Sequence, residues 1–188
     1  MGMNIDQQDA VLADKFLTHR ISMFDKDMQI CLTGIPRKDD PSIDTHAYFP
    51  ALMACCGFLD LLGSLYKGDA KRSKTSWVVN YCQRFMANPD DYCNDNIVLL
   101  FEVVRHGAAH LGVGKGVVIP RHGTHDQKRI TWTLDEHRGS PAIRLESDTG
   151  LAQESTLPWC CPYDHRLHVY LPTLHADIED SVLRTGGI

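Results

Sequence analysis

His46-Ala47-Tyr48-Phe49-Pro50-Ala51-Leu52-Met53-Ala54-Cys55-Cys56-Gly57-Phe58-Leu59-Asp60-Leu61-Leu62-Gly63-Ser64-Leu65-Tyr66 carries two apolar lines at helical spacing. Leu52, Cys56, Leu59 and Gly63 form one, and Ala51, Cys55, Phe58, Leu62 and Leu65 the other. A helix apolar over so wide an arc is buried on more than one side. It lies either at the centre of a bundle or with one face on the core and another on a partner subunit. Gly68 follows as a helix stop, because glycine adopts the left-handed conformation that closes a C-terminus.

On the N-terminal side, Ile5 to Cys31 contains no Gly or Pro, and Val11, Leu12, Phe16, Met23 and Ile30 recur at helical spacing, which predicts a first helix. Gly34, Pro36, the charged run Arg37 to Asp40 and Pro41 break it into a loop reaching about Thr45. On the C-terminal side, Ser73 to Ala87 reads as a third helix, with Ser73 or Thr75 as N-cap and Val78, Tyr81, Cys82 and Phe85 inward. Asn88-Pro89-Asp90 makes the turn into a fourth helix, starting near Asp91 or Asp95 and ending at His110. A glycine-rich exit, Gly112-Val113-Gly114-Lys115-Gly116, follows; it lacks the Lys-Ser/Thr ending of a phosphate loop and does not follow a strand.

The texture then changes. Val117 to Ile119, Arg129 to Leu134, Ala142 to Leu145 and Leu167 to Leu171 read as short strands, and Thr173 to Leu183 as a closing helix. The expected architecture is mainly α: a four- to five-helix up-and-down bundle with a small antiparallel β-sheet appended in the C-terminal third. Residues 1–188 are read as a single domain, with the bundle over about 5–112 and the β-rich extension over about 113–188.

Composition narrows the function classes. The net charge of -5 argues against coating nucleic acid by bulk electrostatics. Lys115, Arg121, Lys128 and Arg129 nonetheless face only Asp126 within 115–129, a local basic segment that is either a nucleic-acid footprint or a solvated hairpin tip. From residue 130 onward nine acids oppose four bases. No run of eighteen apolar residues exists and the start has no signal core, so a cytoplasmic protein with no membrane association is expected. Gly2 does not begin a myristoylation motif, because Asp6 stands where Ser or Thr is required.

Seven cysteines without a C-x-x-C pair make a poor disulfide framework and are read as reduced thiols. Cys160, Cys161, His165 and His168 supply zinc-binding atoms, as do His106 and His110, but at no recognised zinc spacing. No metal and no cofactor are therefore expected. Trp132, Trp159 and Tyr170 could stack on bases, although burial in the sheet suits Trp132 and Tyr170 better.

The residues that carry chemistry close the fourth helix. Leu99-Leu100-Phe101-Glu102-Val103-Val104-Arg105-His106-Gly107-Ala108-Ala109-His110 sets four ionisable groups into an apolar helix. Burying such groups without partners is costly, so they face solvent, pair locally or line a site. Glu102, His106 and His110 follow one another at i,i+4, with Arg105 beside Glu102.

Arg105-His106-Gly107-Ala108-Ala109-His110 resembles the signature of the HEPN family, an Arg, a polar Asn, Asp or His, three variable residues and a His near the end of a bundle helix. None of the other ten arginines is followed by His at that spacing. The resemblance spans roughly residues 5–112 and leaves the β-rich remainder aside. It implies a metal-independent endoribonuclease whose two motif copies meet across a homodimer, with RNA as substrate and a place in a bacterial defence or toxin system with an antitoxin or other protein partner. His110 would move the proton of the ribose 2'-hydroxyl or of the leaving oxygen, and Arg105 would hold the phosphate. His106 would orient these groups or supply a second acid, and Glu102 would fix Arg105. On a uniform α-helix Arg105 and His110 stand about 140° apart, which favours a site shared by two subunits. The other reading is a non-catalytic HEPN-like module that dimerises and binds nucleotide, nucleic acid or protein; for it, His106, His110 and an Arg105–Glu102 pair merely satisfy the end of the helix.

Overall fold

The computed structural model describes residues 5–36, 44–45, 47–69, 71–106, 117–120, 127–135, 138–147 and 165–184. These residues are mainly helical, with a small sheet drawn from the C-terminal part of the chain, as expected. The chain divides into two compact units, residues 1–89 with 175–188, and residues 90–174. The fourth helix thus groups with the sheet, whereas the change of sequence texture grouped it with the helices before it.

The first unit is built on α1 (Ile5–Thr33), α2 (Tyr48–Lys67) and α3 (Thr75–Phe85), joined from His175 onward by most of the closing helix. Helix α2 is its centre. Ala51, Leu52, Cys55, Cys56, Leu59 and Leu62 are fully buried, which resolves the two readings of its wide apolar arc in favour of the core over a partner surface. By length and composition α2 could cross a membrane, but half of its most apolar stretch is covered by protein. Gly63 lets α3 approach closely, since a Cβ there would lie 2.8 Å from the Val78 backbone nitrogen. Gly68 ends α2 at φ 73°, its N–H donating to Leu65 O while the Asp69 N–H donates to Ser64 O.

Helix α1 departs from expectation in one respect. Val11, Leu12, Phe16, Met23 and Ile30, which betray the helix in the sequence, are all exposed. It buries Leu17, Ile21, Phe24 and Met28 instead, a line at 4-3-4 spacing, with the Phe24 ring stacked 4.5 Å from that of Phe58. Neither expected cap of α3 operates. Lys74 holds the N-cap position without a side-chain bond, and Ser73 Oγ instead donates to Asp60 Oδ1 on α2. Between α1 and α2 the expected loop contains a two-residue antiparallel ladder, β1 (Ile35–Pro36) with β2 (Asp44–Thr45).

The closing helix α5 (Leu171–Arg184) buries Ile178 and Ser181 in this unit. The Tyr81 hydroxyl and Ser181 Oγ are 2.9 Å apart, and Ser181 Oγ donates to Ile178 O at 2.7 Å, so Tyr81 donates to Ser181. Burial pushes the Tyr81 phenol up to about 12, partly opposed by Ser181. Tyr81→Phe should cost about 1 kcal/mol, because Ser181 keeps its carbonyl acceptor and only one neutral bond is lost. Urea unfolding checks this, and an unchanged midpoint would show the bond to be idle. Cys31, Cys55, Cys56, Cys82 and Cys93 are free thiols, and burial pushes Cys55 and Cys82 well above the usual thiol range.

A single turn, Pro89–Tyr92, leads into the second unit, where α4 (Asn94–Leu100) continues directly into a π-helical turn, Phe101–His106. Its sheet contains β3 (Val117–Pro120), β4 (Gln127–Asp135), β5 (Ile143–Ser147) and β6 (His165–Tyr170) in the order β3-β4-β6-β5. The sheet is mixed, where an antiparallel one was expected. Strand β6 inserts between β4 and β5, parallel to β4 and antiparallel to β5. Leu167 and Val169 of β6 are fully buried and alternate with half-buried His168 and Tyr170. The Asn96 side-chain amide on α4 donates to Asp91 O at 3.0 Å and Ile143 O at 3.3 Å, tying that helix to β5.

Candidate functional site

The helix that carries the motif is buried almost throughout. Ile97, Leu100, Val103 and Val104 have no exposed surface, and Phe101 has 1%. Glu102 stands exposed among them. A carboxylate set in that apolar series marks the solvent side of the helix where the motif begins.

From Phe101 the backbone widens to π-helical hydrogen bonding, and Arg105 and His106 close that turn. Such turns are rare and recur at functional sites. The widening revises the geometry expected from rotation at 100° per residue. A wider i→i+5 ladder turns by less than about 100° per residue, so angles reckoned for a uniform α-helix do not apply across Phe101–His106. The angle of about 140° between Arg105 and His110 likewise presumed an unbroken α-helix. His110 lies outside the described residues, as do Lys115 and Arg121. Lys128 and Arg129 lie on β4, in register with Ile119 and Val118 of β3, so both belong to the β3–β4 hairpin.

The zinc-binding set weighed near the C-terminus does not assemble as written. Cys160 and Cys161 lie outside the described residues. His165 and His168 are three apart on one strand and therefore point to opposite faces. His168 is held by its neighbours: Nδ1 is 3.1 Å from Asp135 Oδ2 on β4, and Nε2 is 3.3 Å from Glu146 Oε2 on β5. Arg144, in register with His168, pairs with Glu146 at 2.5 Å. This polar row across three strands was missed in the sequence. Its only signal was alternation along each strand; the insertion of β6 between β4 and β5, which unites the row, has no local signature. Tyr170 lies against Gly139, whose amide donates to Thr173 Oγ1 at 3.1 Å, so its ring is packed.

In the first unit, α1 and α5 bring Asp25, His175 and Glu179 together. A cleft of about 460 Å³ also opens between α1 and α2, lined in part by Arg20, Met23, Asp27, Gly57 and Phe58. No family model, curated protein or solved structure matches the chain.

Proposed function

We propose that this chain is a HEPN-like, metal-independent endoribonuclease acting in the cytoplasm as a homodimer. The observation that carries the reading is the π-helical turn Phe101–His106: a helix buried through Val104 except at exposed Glu102 widens over the turn that ends in Arg105 and His106. In this reading His110 is the proton carrier, because an imidazole titrates near neutral pH. Arg105 grips the scissile phosphate through its planar fork and stabilises the charge that grows on it. His106 and Glu102 orient the pair, and Lys115, Arg121, Lys128 and Arg129 draw in the RNA backbone. A place in a bacterial defence or toxin system, with an antitoxin as protein partner, belongs to the same proposal.

The test is cleavage of labelled single-stranded RNA by purified protein in EDTA. Cleavage that Arg105→Ala and His110→Ala both abolish supports the enzyme. RNA binding without cleavage would replace it with a non-catalytic module.

Support for a second copy comes from α1. Leu12, Phe16, Met23 and Ile30 form an exposed apolar line on the side away from its buried face. Arg20 and Asp27 flank that line seven residues apart, so both lie on one side of it. A copy of α1 packed antiparallel about the middle of the helix opposes Arg20 to the partner's Asp27, and the reverse, whereas parallel packing sets Lys15 near the partner's Arg20. Met23→Glu should convert the dimer to a monomer in sedimentation equilibrium, since it places two carboxylates near the two-fold axis. A dimer of unchanged strength would remove α1 from the interface.

A further inference from the structure

We propose that Asp25, His175 and Glu179 bind one divalent transition-metal ion of zinc-like preference, which ties α5 to α1. The site lies wholly within the first unit, uses none of the residues of the ribonuclease reading, and stands independently of it.

Three observations converge there. His175 and Glu179 are four residues apart on α5 and so share one face, while Asp25 projects from α1; their donor atoms all lie within 4.8 Å of one another. Asp25 is already oriented: its Oδ2 accepts a 2.8 Å bond from Gln29 Nε2, and its Oδ1 stands 3.3 Å from His175 Nε2. Two donors bound to one zinc ion at about 2.1 Å in tetrahedral geometry are separated by about 3.4 Å, so this pair is spaced as neighbouring ligands.

The state of the imidazole adds to this. His175 Nε2 is buried and, despite its distance from Asp25, is not aligned to hydrogen-bond with it. The Phe24 ring meets the imidazole edge-on with centroids 5.3 Å apart, giving it an apolar wall. An imidazole with two carboxylates suits zinc, and three protein ligands leave the fourth tetrahedral position to water. The Gln29 bond is the outer support that such carboxylate ligands commonly have.

The experiment uses the full chain, stripped with chelator, dialysed and titrated with Zn²⁺ by calorimetry, with thermal unfolding followed in parallel. One ion per chain is expected, and saturating Zn²⁺ should raise the Tm by about 5 °C or more. His175→Ala should weaken binding at least about tenfold and abolish the Tm rise, since it removes a direct ligand. Glu179→Gln keeps the shape of a half-buried side chain and so guards against loss through misfolding. It should retain the metal-free Tm yet lose at least about tenfold in affinity. Absence of stoichiometric binding would overturn the proposal. So would equal affinity in both variants, which would place the ion elsewhere, on the cysteines or on His106 and His110. Neither readout involves RNA, so failure of this site and failure of the ribonuclease reading are separate results.

Discussion

Arg105→Ala and His110→Ala should each reduce RNA cleavage in EDTA by about a hundredfold to a thousandfold, with the folded state intact. The size follows from the chemistry assigned to each group. Without the imidazole, the 2'-hydroxyl must lose its proton to water, and the pH profile should lose the limb that falls near neutral pH. Without the guanidinium, the charge growing on the phosphate loses its fixed counter-charge. Arg105→Lys separates charge from shape: it keeps the first and discards the planar fork, and should recover only part of the rate. Mixing the two alanine variants provides a sharper test of a shared site. A heterodimer retains one guanidinium and one imidazole from different chains, so exchange of subunits should restore activity that neither variant has alone. Cleavage that persists in both variants would place the chemistry elsewhere.

Gly63→Ala should destabilise the protein by about 1–2 kcal/mol, the cost of overpacking less the roughly 1 kcal/mol by which alanine is the better helix former. The added Cβ would stand 2.8 Å from Val78 N and 3.0 Å from both Trp77 C and Val78 Cα. These are backbone atoms of α3, and no rotamer change relieves the overlap; the two helices must separate. Separation opens the contact around Leu62, Val78 and Cys82, all almost fully buried. Gly57, on the same helix, is the control. A Cβ there meets nothing within 4 Å, so Gly57→Ala should be neutral or stabilising by up to about 1 kcal/mol. Urea denaturation of both variants decides the matter. Equal midpoints for Gly63→Ala and the parent chain would refute the close approach of α2 and α3.

Much of the helical order was legible because burial imposes period. Helix α2, with apolar residues on two lines, announced both its existence and its central place. The stop at Gly68 was equally readable, since only a left-handed residue closes the helix there. The period of α1 was readable but its direction was not: apolar residues lie on both its faces, and only packing against α2 selects Leu17, Ile21, Phe24 and Met28. The mixed sheet escaped for a related reason. Each strand shows its own alternation, but strand order depends on connections that local sequence does not encode. Of the candidate site, exposed Glu102 on an apolar helix could be read from spacing, whereas the widening at Phe101–His106 could not, because the residues there look like any α-helix. His175 and Glu179 show an i,i+4 spacing, but Asp25 comes from the other end of the chain and no local pattern joins it to them.

The first unit is discontinuous in the chain, with the whole of residues 90–174 lying between its two parts. A ribosome therefore releases α1, α2 and α3 long before α5, and the nascent chain must keep an unfilled seam around Phe24 and Tyr81 until α5 has emerged. A premature stop near residue 174 would leave that unit without its final wall.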